Sequence, residues 1–419
     1  MDTITKPQPV EKSSHLGFRV CSAEDTFDKI WPLRHQMGIT RLGNITGLDK
    51  IDIPVYIATR PNSRMLSLSQ GKGCRPIDAK VSALMESVES YHAEYITHPL
   101  KNSTYNDLAK NHPVADIGAL PQYLEKPYEK NIETLWIEGF DILNKEPKWL
   151  PYESVHEDST IPLPVGHGYF PTTSNGLASG NHPNEAIIHG FCETIERDSI
   201  RLWQLLPAKQ QLATKINLST VNDRDCLGLL ENYKKNNILV GVWDMTSDTG
   251  IPCFLCRIIS TEEPDKYTIR PASGMGCFPD KAIALRRALT EAAQSRLTFI
   301  SGARDDIQKR HYKEFTDTDT YQLWHDVISA QPAGNGINYG NIFTHPYSSQ
   351  EDLLDILLNA IKKIGLNEVI TVDLTKPHLN IPVFKTVVPG LEPPPVSPHV
   401  AAGKRARKIM ENFAKELSS

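Results

Sequence analysis

The sequence predicts an α+β fold with mixed sheets, and three observations carry that expectation. Stretches with apolar residues at i, i+3, i+4 and i+7 mark amphipathic helices. Runs rich in β-branched and aromatic residues, such as ILVGVWDM and IPCFLCRII with the turn-like TSDTG between them, mark strands. The two kinds intermix without the strict alternation of a doubly wound parallel sheet. With 419 residues, 40% hydrophobic and 23% charged, the chain can bury a large core in one domain or two intimate ones. A net charge of −5 disfavours a nucleic-acid binder held by bulk positive charge. No run approaches the roughly 20 apolar residues of a bilayer span, and the start MDTITKPQPVEKSSHLGF has no secretory signal pattern, so the expected compartment is the cytoplasm. Seven scattered cysteines, an odd number, read as reduced thiols.

Residues 1–16 are polar and Pro-bearing and read as a flexible tail. Residues 17–70 hold helix-like and strand-like pieces, including IDIPVYIATR, and lead through GKGCRP into a helix expected from about Asp78 to Tyr95, with Asp78 as its N-cap. Residues 97–165, rich in Pro, Tyr and Asn, read as short elements joined by long loops. A second helix is expected over about Pro183 to Leu205, a third over about Asp280 to Ser301, and an amphipathic one from near Ser349. The strand-like NEVITVDLT and IPVFKTVVP precede the Pro-rich GLEPPPVSPHV and a short basic helix over 401–419. No internal repeat is evident in the sequence. Cys253 and Cys256 form a CxxC, but inside a run that reads as a buried strand with no second pair in range.

Three helices carry a polar stripe of the same spacing. Ser82, Glu86 and Glu89 lie at i, i+4 and i+7, as do Arg287, Glu291 and Gln294, while Glu185, His189, Glu193 and Glu196 share one side of the second helix. A solvated face, with Arg287 and Glu291 as an i, i+4 ion pair, is one reading. The small neighbours Ala83, Ala288, Ala292 and Ala293 favour close packing instead. If the helices converge, their six carboxylates repel one another and need cations. Oxygen-only ligands select a hard ion such as Mg²⁺, which keeps waters or bridges to phosphates, so nearby Lys72, Arg197 and Arg287 point to a triphosphate. The usual phosphate signatures are missing: GKG at Gly71 to Gly73 is not a P-loop, and no GxGxxG, HRD or DFG set appears.

These motifs resemble those of the YcaO superfamily, ATP-using enzymes that activate peptide backbone amides. The family pattern SxxxE(S/T)xE stands here as Ser82, Glu86, Ser87 and Glu89. The NGxxxGN turn followed by EA and ExxER stands as Asn175, Gly176, Gly180, Asn181, Glu185, Ala186, Glu193, Glu196 and Arg197, and RAxTEAAQSR runs from Arg287 to Arg296. The resemblance implies a YcaO-type fold with helices converging on a central ATP/Mg²⁺ site, and a catalytic domain over 71–400 against which 17–70 packs. It implies Glu86, Glu89, Glu193, Glu196 and Glu291 as metal ligands. Lys72, Ser82, Asn181, Glu185, Arg197, Arg287 and Gln294 become nucleotide contacts, with Arg287, Glu291 and Glu196 at the chemistry.

In such enzymes a nucleophile adds to the amide carbonyl, the γ-phosphoryl group of ATP passes to the amide oxygen, and phosphate leaves. A neighbouring Cys, Ser or Thr side chain gives an azoline, an external sulfide equivalent a thioamide, and a nitrogen an amidine. Azoline-forming members commonly end in PxPxP; here about 20 residues follow the Pro-rich stretch and that spacing is not met. The N-terminal half, VVPGLE and the late GKRA resemble the group paired with TfuA-like proteins, several of them associated with thioamides. The expectation is therefore a thioamide-forming enzyme acting on a peptide or protein, working with a TfuA-like or sulfur-donor partner, and a homodimer. An azoline-forming cyclodehydratase is the alternative, and an accessory subunit that binds a leader peptide or sulfur donor is a third. His189 reads as a packing residue, the KRARK tail as a solvated helix, and Cys74 as a bystander.

Overall fold

The computed structural model describes residues 18–262, 271–308, 312, 318–393 and 399–418, so the expected tail over 1–16 and the prolines at 394–398 lie outside the described residues. The chain opens with α1 (Ala23–Ile30), then β1 (Arg41–Asn44), β2 (Val55–Thr59) and β3 (Leu68–Lys72) in one antiparallel sheet. Helix α2 (Pro76–Glu94) follows. Its N-cap is Arg75 and not Asp78, which sits one turn in and accepts from the Arg75 N–H as the third residue of a capping box. Val81, Leu84, Met85 and Val88 are all buried, as their spacing predicts.

The stretch 97–165 holds short elements, as expected, and adds a hairpin the sequence did not announce. It holds β4 (Leu100–Ser103), α3 (Tyr105–Leu108), and a hairpin of β5 (Thr134–Asp141) and β6 (Glu146–Pro151) whose two strands pair over six positions. After β7 (Leu177–Ser179) come α4 (Pro183–Gln204), α5 (Ala208–Ala213), β8 (Ile216–Asn217) and α6 (Arg224–Lys235). Next are β9 (Ile238–Asp244), β10 (Cys253–Ser260), β11 (Ala272–Cys277), α7 (Lys281–Ser301) with Asp280 as N-cap, and α8 (Thr318–Ser329). The chain ends with β12 (Ile337–Asn338), α9 (Gln350–Lys363) capped by Ser349, β13 (Ile370–Asp373), β14 (Val383–Val387) and α10 (Lys404–Ser418). The strands form, among the described residues, a six-stranded sheet of β4, β5, β6, β13, β14 and β7, the three-stranded sheets β1–β2–β3 and β11–β10–β9, and the parallel pair β8 and β12.

Helix α2 lies between β2–β3 and the large sheet; its Leu84 and Val88 share a core with Ile137, Ile370 and Val383. Helix α4 packs on β7 and β14 and also reaches β11, and α7 covers β11 and β10. Each of the three is preceded by a strand that crosses it closely. A Cβ on Gly71 would stand 1.9 Å from the Ala83 nitrogen, one on Gly276 2.1 Å from the Ala284 oxygen, and one on Gly190 2.4 Å from the Gly176 oxygen. Only glycine permits that approach. The three units repeat one pattern: Ala79, Ala83, Glu86, Glu89; Ala186, Gly190, Glu193, Glu196; Ala284, Ala288, Glu291, Gln294. This is a repeat the sequence reading passed over, because only helix–strand packing reveals which positions must be small.

Candidate active site

The repeat brings the three stripes within electrostatic reach of one another, since each helix turns its small residues to its strand and its polar residues aside. Glu86 and Glu89 from α2 feel Glu193 from α4, and Glu196 from α4 feels Glu291 from α7. Glu86 is exposed to solvent on the α2 stripe, and desolvation, opposed first by Lys72, pushes its carboxyl up to about 7. Desolvation likewise lifts Glu89 to about 8 and Glu196 to about 7, with Glu86 and Glu291 adding repulsion respectively.

The cations stand among them. Lys72 Nζ meets Glu291 Oε2 at 2.5 Å, and Arg197 lies 3.3 Å from Glu193 and 3.9 Å from Glu196. Burial works to raise Glu291, but Lys72 and then Arg197 outweigh it and hold this carboxyl below the usual range. The partner of Glu291 is thus Lys72 and not Arg287, which corrects the i, i+4 pairing open to the sequence. Arg287 acts instead across the site, on Glu196 and His189. The Gln294 amide donates to the Gln70 carbonyl at 3.2 Å, while its buried Oε1 is without a partner. Ser82 is half-buried on the α2 stripe.

Asn181 and Glu185 lie at the N-terminal edge, bound to the opening segment. Glu185, 1% exposed, accepts from the backbone N–H of Val20 and of Asn181, and the Asn181 amide donates to Thr26 Oγ1 at 2.9 Å. Near the stripes lie His189, expected as a packing residue, and two residues absent from the motifs, Lys385 and Glu157. His189 occupies the position equivalent to Ser82 and Arg287, held neutral by burial and then by Arg287, Arg19 and Lys72. Lys385, 1% exposed on β14, donates to the Thr173 carbonyl and is lowered to about 8 by desolvation. Glu157, 2% exposed, rises to about 7 for the same reason and faces Lys385 and Glu193 with Oε1 unpartnered. A lysine alternating with apolar residues in VFKTV was the available signal. Cys253 and Cys256 lie three apart on β10 and point to opposite faces, so they cannot close on one ion. Cys74, at the surface, has its thiol pushed up to about 11 by desolvation and is no ready thiolate.

Among the described residues no three Asp, Glu, His or Cys side chains close on a single point to cage an ion. Mg²⁺ does not ask for a cage; it takes one or two carboxylates and completes its shell with water and phosphate. The donor set here is all oxygen, five carboxylates beside the three cations Lys72, Arg197 and Arg287, and desolvation first, with like charge after it, raises Glu86, Glu89 and Glu196. The residues therefore fit Mg²⁺ brought on a polyphosphate.

Residues 70–392 match the model of the YcaO cyclodehydratase family, described as ATP- and Mg²⁺-binding. The chain belongs to the YcaO family. An uncharacterized protein in the tfuA 3′ region of Rhizobium leguminosarum bv. trifolii is 33% identical over 393 residues, covering 93% of this chain and 92% of that protein. The YcaO from Methanopyrus kandleri bound with AMPPCP and Mg²⁺ has the same fold, with a TM-score of 0.67 at 22% identity over 89% of this chain and 92% of its own. A heterocyclase in complex with substrate and cofactor superposes with a TM-score of 0.75 at 22% identity over 92% of this chain, which spans 55% of that protein. The YcaO-type α+β architecture expected from the motifs is the one observed.

Proposed function

We propose that this YcaO protein uses ATP to phosphorylate the oxygen of a peptide backbone amide and exchanges that oxygen for sulfur, giving a thioamide. The observation that supports the activation step is the gathering of carboxylates from three helices with Lys72, Arg197 and Arg287, seen in the ion pairs and couplings between the stripes. Glu86, Glu89, Glu193, Glu196 and Glu291 would hold Mg²⁺, which when bound neutralises charge on the phosphoryl oxygens. Arg287 and Lys72 bind the phosphate chain and Arg197 keeps Glu193 and Glu196 in place, while the walls of the site align donor and amide and exclude bulk water. The chain adds no covalent nucleophile of its own. In sum, amide, hydrosulfide and ATP become thioamide, ADP and phosphate: the amide oxygen leaves in the phosphate, and the hydrosulfide proton goes with it.

Sulfur is favoured over ring closure by the TfuA-type segments of the sequence and by the relative encoded in the tfuA 3′ region. A TfuA-like or sulfur-donor partner and a homodimer belong to the same reading. The likeness to a heterocyclase keeps azoline formation as the second reading. The purified protein with its precursor peptide, ATP, Mg²⁺ and a sulfide source should give a peptide heavier by the difference between sulfur and oxygen. A peptide lighter by one water would establish the second reading instead.

A further inference from the structure

Lys72 ends β3, and its ammonium crosses to a carboxylate 219 positions away, Glu291 on α7, at 2.5 Å. Both side chains are partly open, 24% and 20% exposed, so the pair is not sealed in the core. Lys72 is also the foremost attraction on Glu86 of α2, ahead of the Gln70 backbone and Arg304. The ammonium thus lies between two stripes that belong to different helices. The other oxygen of Glu291 accepts the Met275 N–H at 3.2 Å, which fixes the carboxylate toward Lys72.

A divalent ion drawn to Glu291 meets a positive charge already in contact with it. The two repel, and the ion must displace the ammonium. Lysine suits such an exchange, being a point charge on a flexible stem, whereas Arg197 is held by two carboxylates at once. A phosphate entering the site gives the ammonium another partner and releases Glu291. We propose that Lys72 guards Glu291 against free Mg²⁺, so that metal binds productively only together with the phosphate chain. The inference rests on the reading of these stripes as a Mg²⁺–triphosphate site. It assigns Lys72 an exchange between carboxylate and phosphate in place of a fixed phosphate contact.

The test is binding of MgCl₂ alone, followed by the rise in thermal midpoint and by calorimetry. In Lys72→Met, half-maximal stabilisation should need about threefold less Mg²⁺ than in the wild type, the scale of one competing, partly exposed ion pair. Lys72→Arg should match the wild type. Lys72→Gln, which keeps a donor toward Glu291 without the charge, should follow Lys72→Met and serves if the latter does not fold. ATP binding in the presence of Mg²⁺ should weaken in both neutral variants. Unchanged or weaker binding of free Mg²⁺ by the neutral variants, with Mg²⁺-dependent ATP binding intact in the wild type, overturns the guarding role alone. If the wild type binds ATP no better with Mg²⁺ than without, the metal reading of the site falls with it.

Discussion

Glu196, 3% exposed, is the enclosed carboxylate among the five expected metal ligands, and it feels both α4 and α7 through Arg197, Glu291, Arg287 and Glu193. Burial and like charge hold it up at about 7, so its ionised form costs the fold something and serves the site. Glu196→Gln keeps the shape and removes the charge. Peptide-dependent ATP turnover should drop about 10²-fold while the urea midpoint stays level or rises; turnover within a factor of two of wild type would take Glu196 out of the site. His92 gives a second test, remote from the chemistry. It is fully buried on α2, its Nδ1–H donates to the Val88 carbonyl, and desolvation lowers it to about 4. The unfolded chain takes up this proton below pH 6.5 and the folded chain only near 4. Stability from this group is therefore complete above pH 6.5 and lost as pH falls toward 4, by about 3 kcal/mol. His92→Phe cannot lose it. The stability difference between wild type and His92→Phe, measured by urea unfolding from pH 7 to 4, should move in favour of the variant; a difference flat with pH would refute the assignment.

At the scale of elements, the site is built by glycines as much as by glutamates. Gly71 and Gly276 let β3 and β11 rest against their helices at distances no Cβ tolerates. Gly71→Ala should push β3 off α2, move Lys72 at the strand end, and cost about 3 kcal/mol or more, at the upper end for overpacking a core. Gly47→Ala, where a Cβ meets nothing within 4 Å, is the matched control and should change stability by less than about 0.5 kcal/mol. Equal urea midpoints for the two would show that the close crossing is not what the repeat is for. The stripes were legible because i, i+4 and i+7 spacing is local. The helices over Pro183–Gln204 and Lys281–Ser301 came within a residue of their expected bounds for the same reason. The hairpin of β5 and β6 was not legible, since TLWIEGFD breaks strict alternation and its place in the sheet depends on β13, where Ile370 faces Asp141 from far along the chain. The same distance hid Lys72 from Glu291 and Glu157 from Lys385. Sequence spacing says what one helix offers, and pairing across helices is settled only by packing.

Over the whole molecule, the C-terminal helix is fastened to the back of the site. Asp198, two residues past Glu196 and fully buried, accepts from Arg405 at 2.9 Å through both oxygens and from the Glu392 N–H at 2.9 Å. Glu392 in turn, 2% exposed, accepts the backbone N–H groups of Gly403 and Ala406 at 2.8 Å and so receives the positive end of α10. Arg405 also reaches Asp248 across the surface. The tail here is a clamp. Arg405→Ala leaves Asp198 buried with one backbone donor, a defect that costs about 3 kcal/mol, and the shift of the urea midpoint measures it. The loss should be global because α4 carries Glu193 and Glu196 on the same rod. Mg²⁺-dependent ATP binding by the folded fraction should survive in Arg405→Ala, since no residue of the stripes is removed. If that binding vanished while the fold stayed intact, the C-terminal helix would be part of the nucleotide site itself and not a clamp behind α4.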